Sequence, residues 1–431
     1  MADRGQDFAQ RVASMQARVG TLGRLRSIVS LPLPHDIDAR QWDAIAMGLS
    51  ATQARLDQSL RRAARDGLPR LADVAAARRL NAHLGRLELD LTKAFAFFDM
   101  YADLLTQRHA RDLAALLRGC DALAWDAIGH SHPALTVVPR PLVYCDRGFG
   151  ASVIREQARL PDGTPNPLPL IQIPYSRLKE KYNLVSLLHE SGHEVMVRLG
   201  LVEAWPKAMA AALRRAGAPP LLQQLYALWT RELGPDFWAF CLSGFAQTSG
   251  MRTIVALPPE HVFAVSLTDP HPPAYLRVLI SVQWCRHLWG KGPWDRWERE
   301  WLALYPLADA EPHARATLQA AVAYVPLVAR TYFEARFPVF GDRPVAAQFD
   351  LRPLAPNAIA ARCHRRDADG MPDLAGLRPA AQLAVFHALR ASGRLSEEEL
   401  DALMARWLVR LGTPALPLSA HRPIPGRRPM P

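Results

Sequence analysis

His189, Glu190 and His193 stand in the pattern His-Glu-x-x-His, within His189-Glu190-Ser191-Gly192-His193. On a helix, positions four apart lie one above the other, so both imidazoles can reach a single metal ion. Glu190, one step round the helix, is close enough to act on a water in the metal's open position. Leu184, Val185, Leu187 and Leu188 precede the motif, and Val195, Met196, Val197 and Leu199 follow it before Gly200 offers a stop. These flanks predict a buried helix, where apolar packing alone would not choose two histidines and two glutamates. With 14 His in the chain, a chance match is expected at roughly a few per cent. The competing reading, a surface helix with two solvated histidines, does not explain the apolar flanks.

A catalytic zinc site of this kind needs a third protein ligand. Trp229-Thr230-Arg231-Glu232-Leu233-Gly234-Pro235-Asp236 reads as a second helix-like stretch, with Glu232 and Asp236 four apart. Glu232 is suited to bind the metal, and Asp236 to hydrogen-bond a ligand imidazole and fix its tautomer. Gly234-Pro235 breaks the pattern, because Pro235 has no N–H to donate and crowds the preceding turn. Either the helix kinks there, or Asp236 opens a new helix and is itself the ligand. A plain exposed acidic pair is the bland alternative.

Peptide hydrolysis passes through a tetrahedral intermediate whose negative oxygen needs a donor beside the metal. The segment Asp269-Pro270-His271-Pro272-Pro273-Ala274-Tyr275-Leu276-Arg277-Val278 offers His271, Tyr275 and Arg277, on a loop that its prolines hold stiff. Equally, His271 could be a turn residue, Tyr275 packing and Arg277 half of a structural ion pair.

Together these segments resemble a known group. His-Glu-x-Gly-His followed by Trp-x-x-Glu-x-x-x-Asp resembles the gluzincin metallopeptidases, in which two His and a downstream Glu hold zinc. The Asp269–Val278 run is similar to the His-Pro…Arg segment of CAAX prenyl-protease-like and heat-shock membrane proteases. The resemblance covers roughly residues 165–290 and implies a zincin-like core with one Zn2+ per chain on His189, His193 and Glu232. It also implies a place for His271 near the metal. The chain departs from the pattern at Glu194, where the commonest zincin motif has an uncharged residue, and at Gly234-Pro235. Those families span membranes several times, whereas no stretch here approaches the ~18 uninterrupted apolar residues of a span, so their substrate class does not carry over.

Leu168-Pro169-Leu170-Ile171-Gln172-Ile173-Pro174 reads as a short strand bounded by prolines, which predicts a sheet edge. An edge strand ahead of the metal helix is where zincins align an extended peptide. Pro141–Cys145 and Ala151–Ile154 read as its neighbours, joined by a turn at Gly148-Phe149-Gly150.

The rest of the chain bounds the class. At 431 residues, 49% hydrophobic and 22% charged, it has ample material for a core. The N-terminus shows no signal-peptide pattern, and five scattered cysteines without a Cys-x-x-Cys suggest reduced thiols in the cytoplasm. The net charge of +11 is carried by arginine spread through Ala-rich helices, with no aromatic-interleaved basic stripe, so nucleic acid is a minor expectation.

Residues 1–130 read as helical: Trp42, Ile45 and Leu49, then Leu87, Leu91, Phe95, Phe98, Tyr101 and Leu105, recur at helical spacing, with a break at Pro32 and Pro34. Residues 131–290 hold the sheet and metal site, and 291–342 return to helices, with Trp294, Trp297 and Trp301 on one packing face. Residues 343–411 read as a Pro/Arg/Asp-rich linker followed by a helical pair, the last helix opened by a Ser396/Glu399 capping box. Residues 412–431 read as a disordered tail.

The expectation is thus a predominantly helical α+β protein with a zincin-like core. It would hydrolyse peptide bonds with a zinc-activated water and Glu190 as general base, taking a peptide or protein as partner. His271 or Arg277 would stabilise the oxyanion and Asp236 would orient a ligand histidine. Two other classes are a zinc-binding regulatory protein without catalysis and an Arg-rich nucleic-acid-binding helical protein.

Overall fold

The computed structural model describes residues 2–30, 37–129, 132–148, 150–160 and 163–413. The break at Pro32 and Pro34, Phe149 of the expected turn, and the tail from 414 onward lie outside the described residues. Helices of eight or more residues are numbered in chain order. Four come first: α1 (Ala2–Leu22), α2 (Ala39–Gly67), α3 (Val74–Thr106) and α4 (Arg111–Ile128). Strands β1 (Leu142–Asp146), β2 (Ser152–Ile154) and β3 (Leu170–Pro174) follow. Next are α5 (Val185–Arg198), α6 (Leu201–Arg215), α7 (Pro220–Ser243), α8 (Phe245–Ile254), α9 (Ala274–Trp289) and α10 (Pro293–Leu304). The last third holds α11 (Pro312–Val322), α12 (Val325–Glu334), the two-residue strands β4 (Arg336–Phe337) and β5 (Arg343–Pro344), α13 (Pro356–Cys363), α14 (Pro379–Ala391) and α15 (Glu397–Gly412). The fold is α+β and predominantly helical. Among the described residues no helix is long and apolar enough to cross a membrane.

The three-stranded sheet has the order β1-β3-β2. β3 is therefore its centre, parallel to β1 (Val143 opposite Ile171) and antiparallel to β2 (Val153 opposite Ile171). This corrects the expected edge position of the proline-bounded strand. Pro169 precedes β3 and Pro174 is its last residue, so neither removes a ladder donor from its interior, while Pro169 O accepts from Leu142 N at 3.0 Å. The edge beside the metal helix is β2. Since β3 separates β1 from β2, those two strands are not paired with each other.

The sheet divides two hydrophobic cores. Side chains alternate across a strand, so Leu142, Tyr144 and Leu170 face a core built with α1, α2 and α3. Val143, Cys145, Ile171 and Ile173 face the larger core, which runs from α4 to α15. The expected helical pattern of the first region holds: Ile45, Leu49, Leu87, Leu91, Phe98, Tyr101 and Leu105 are buried, with Trp42 and Phe95 packed at the margin. Trp294, Trp297 and Trp301 are all buried, and Trp301 Nε1 donates to Tyr275 O at 3.4 Å. The segment read as a linker is packed instead. Val345, Leu354, Ile359 and Cys363 belong to the larger core, because its hydrophobics sit among short turns that hide their period. Ser396 and Glu399 make the reciprocal cap of α15, and all five cysteines are buried and free.

α5 packs against α7 at unusually close range. A Cβ added at Gly192 would meet Pro235 Cα at 2.9 Å, Pro235 Cβ at 3.1 Å and Pro235 O at 3.2 Å. One at Gly234 would meet Met196 Sδ at 3.1 Å. α7 is one helix through Pro235, so Asp236 does not open a new helix. Gly234 and Pro235 form the contact surface for α5. We expect Gly192→Ala to push the helices apart, costing about 1–3 kcal/mol of stability and weakening metal binding. Unfolding and metal titrations of the variant check this, and an unchanged midpoint and affinity would refute the contact's importance.

Candidate metal centre

The motif helix α5 begins directly after a short 3-10 turn (Lys181–Leu184) and ends where Gly200 takes φ +65° to start α6. Its buried face carries Leu187, Leu188 and Val195 into the larger core. The other side presents His189, Glu190 and His193 to a cleft of about 770 Å³. α7 faces it with Glu232 and Asp236 one turn apart, both buried.

His189 Nε2 lies 3.2 Å from Glu232 Oε2 and 3.2 Å from His193 Nε2, and His193 Nε2 lies 3.6 Å from Glu232 Oε1. One ligand atom from each of the three residues falls within 4.8 Å of the others. A tetrahedral ion with ligand bonds of about 2.0–2.1 Å separates its ligand atoms by about 3.3 Å, close to the separation of the two imidazole nitrogens and of each from one of the two Glu232 oxygens. His189, His193 and Glu232 could hold a metal ion, the group that the sequence pattern singled out.

Behind the triangle Asp236 accepts from four donors. His189 Nδ1 is at 2.8 Å, Gln247 Nε2 at 3.0 Å, Arg277 Nε at 2.6 Å and Arg277 Nη2 at 2.9 Å. With Nδ1–H donated to Asp236, Nε2 is the His189 nitrogen turned to the triangle, and its lone pair becomes available to a metal once the second ring proton leaves. Arg277 thus pairs bidentately with the residue behind His189. The structure places it in the support of the triangle, with two of its nitrogens engaged there and not held free for a substrate oxygen. His271 does reach the cleft: its ring is exposed, Nδ1 lies 2.6 Å from Asp269 Oδ1, and Nε2 lies 3.6 Å from Glu232 Oε2. Tyr275 is buried against Phe263 and does not line the cleft.

Electrostatics follow from crowding charges out of water. Burial works against a charged imidazole at His189, but Asp236 and Glu232 outweigh it and raise that group to about 10. Burial and the neighbouring His189 together lower His193 to about 3, leaving a neutral ring. Burial also opposes ionisation of Glu232 and Asp236, yet His189, His193 and Arg277 hold Glu232 at about 2, and Arg277 with His189 holds Asp236 well below the usual carboxylate range. Glu190 is raised, chiefly by burial. It lines the cleft beside the triangle.

Three further residues matter that the sequence reading missed. Gln247 of α8 ties that helix to Asp236, with its Oε1 left unpartnered in the cleft wall. Arg177, after β3, is buried at the cleft. Glu156 clarifies Glu194: the buried Glu194 carboxylate points away from the cleft, accepting from Glu156 N at 2.9 Å and Arg198 Nε at 3.0 Å, while Arg198 also pairs with Glu156. The charge next to His193 therefore anchors the turn after β2 to α5. Neither Gln247 nor Arg177 stands in a spacing pattern, so only a buried polar residue among apolar neighbours hinted at them.

No family model, curated protein or solved structure matches the chain. The functional reading therefore rests on the geometry of this site.

Two predictions follow from that geometry. Elemental analysis should find about one metal ion per chain, lost in His193→Ala and Glu232→Ala and retained with roughly 10–100-fold lower affinity in Asp236→Asn. Metal retained in Glu232→Ala but lost in Asp236→Ala would move the third ligand to Asp236.

The second concerns pH. Because its folded-state value lies above the ordinary 6.5, protonated His189 stabilises the metal-free fold in full below pH 6.5, and that contribution is lost as pH rises through about 10. A metal ion competes with the same proton. Affinity should rise by about ten-fold per pH unit within that window, with release of about one proton per ion near neutral pH. Calorimetric titration in buffers of different ionisation heat reads the proton count, and no release would contradict the assignment.

Proposed function

We propose that the chain is a zinc-dependent metallopeptidase with a zincin-like core. The observation that carries this reading is the triangle His189, His193 and Glu232, backed by Asp236 and flanked by an unengaged, buried Glu190 at the wall of an open cleft. A structural metal site would be closed by a fourth protein ligand; here the described residues supply three, and the fourth side opens on the cleft. Zinc held by His189, His193 and Glu232 would supply Lewis acidity, making a water more acidic and polarising a carbonyl.

The chain's own groups do the rest. Glu190 accepts the proton from the attacking water as its oxygen bonds to the scissile carbonyl carbon. It then delivers that proton to the departing amine as the C–N bond breaks. Its raised affinity for protons, a consequence of burial, suits both halves of that task. His271, its Nδ1–H held by Asp269 and its Nε2 3.6 Å from Glu232 Oε2, would donate from Nε2 to the carbonyl oxygen as it gains charge when the ring is protonated. The Pro270, Pro272 and Pro273 backbone and the Asp269 carboxylate hold its ring. Asp236 keeps His189 in one tautomer and Arg277 keeps Asp236 ionised and in place.

Gly150, Ala151, Ser152 and Val153, on and just before β2, line the cleft next to α5. β2 pairs with β3 on one side only, so its free side offers backbone donors and acceptors to an extended peptide. This supports a polymer amide as substrate better than a compact small molecule. The experiment is Glu190→Gln, which should keep its zinc and lose at least about 10²-fold in turnover of a peptide mixture. Full activity in that variant would end the mechanism, and the absence of zinc from wild type would end the assignment.

A further inference from the structure

Arg177 lines the cleft with His189, Glu190 and His193, yet is only 6% exposed. No hydrogen bond or ion pair engages it among the described residues, and its Nε is buried without a partner. The other fully buried arginine behaves differently: Arg108 donates from Nη1 and Nη2 to Asp121 and from Nη2 to Val143 O. Glu180 exerts some attraction on Arg177, but its own carboxylate is exposed and accepts from Asn183 Nδ2. Burial accordingly holds the Arg177 guanidinium below its usual range. A guanidinium taken out of water without a counter-ion is costly, and it persists in a fold when something that binds there supplies the missing partner.

The cleft indicates what that partner is. α5 lines it from Val185 to Val197, roughly 18 Å at 1.5 Å per residue, enough for about five extended residues at ~3.4 Å each. Arg277 is neutralised by Asp236, whereas Arg155 and Arg231 add two exposed positive charges at the cleft wall against one exposed carboxylate, Glu203. A planar guanidinium matches a carboxylate with two parallel hydrogen bonds.

We infer that Arg177 anchors a carboxylate of the peptide substrate within the metal cleft, either the free C-terminus or an acidic side chain. This rests on the reading of the cleft as a peptide-hydrolysing site. It makes Arg177 the group that selects which peptides enter, and so a determinant of specificity separate from the proton chemistry of Glu190.

The test uses the full zinc-loaded chain carrying Glu190→Gln, so that bound peptides persist. Three N-acetylated pentapeptide libraries are offered: neutral with a free C-terminal acid, neutral with a C-terminal amide, and amidated with one Asp or Glu. Peptides retained by the protein are counted by mass spectrometry. Retention of one carboxylate library should exceed that of the neutral amides by at least about ten-fold. Adding Arg177→Met should abolish the excess, and Arg177→Lys should keep part of it. Preference for free acids identifies the terminal carboxylate, and preference for acidic amides identifies the side chain. Equal retention, no retention, or an excess that survives Arg177→Met overturns the proposal.

Stability separates a binding role from a structural one. Removing an unpaired buried charge should leave Tm unchanged or raise it, so a Tm several degrees lower in Arg177→Met would make Arg177 structural and also overturn the inference. Cleavage of the same libraries by the wild-type chain keeps the two readings apart. Carboxylate-dependent retention without cleavage preserves the Arg177 anchor and ends the hydrolase reading. Cleavage indifferent to the carboxylate does the reverse.

Discussion

The site depends on how closely α5 and α7 approach each other at Gly192 and Pro235. Both helices carry a pair of polar residues four apart, His189 with His193 and Glu232 with Asp236. At that spacing each pair forms one stripe. Only when the backbones come close do the two stripes mesh, so that the His189 ring meets Glu232 through Nε2 and Asp236 through Nδ1. A side chain at position 192 would occupy the space that this meshing needs. The glycine inside the motif is thus a packing requirement with a chemical consequence.

Meshing those stripes gathers charges that burial disfavours. Glu190, Glu232 and Asp236 are each less than 10% exposed, with Arg277 and a protonated His189 as the cations beside them. A well-packed apolar contact would hold two helices together at lower cost than such a cluster. The arrangement fits the proposed metal site: a divalent cation there would displace a proton from His189 and restore balance among the carboxylates. Asp236, with its donors from three helices, fixes the receptor before any ion arrives.

The motif helix was readable from sequence because its signal is local: two histidines four apart, apolar flanks and a terminating glycine all lie on one element. The Ser396 cap and the tryptophan face of α10 were readable for the same reason. What escaped depended on distant partners. Pro235 leaves two local possibilities, a kinked helix or a new one opened by Asp236, and the rule for an isolated helix cannot see that Gly192 of another helix packs against it. β3 was placed at an edge by its prolines, although both sit at the strand's limits where no ladder donor is missing. Arg277 could have faced a substrate or a carboxylate, and only the fold put Asp236 within 2.6 Å of it. Arg177 carries no pattern at all: its significance is the absence of a partner among the described residues.

The sheet explains why the edge strand can serve the cleft. Val153 packs towards the larger core and lines the cleft, while Ile154 packs towards the core of α1, α2 and α3. Both faces of β1 and β3 are buried in the same way, one against each core. Because side chains alternate with a period of two, slipping β2 by one residue would exchange those faces and expose what is now packed. The N-terminal helices therefore fix the register of a strand whose opposite edge is open to the cleft, although the residues lining that cleft lie between Gly150 and Arg277. Glu194 adds a second constraint, joining the turn after β2 to the metal helix through Glu156 N. Strand edge and candidate ligands are thus held from two sides, an arrangement that suits the proposed alignment of an extended chain beside a reacting carbonyl.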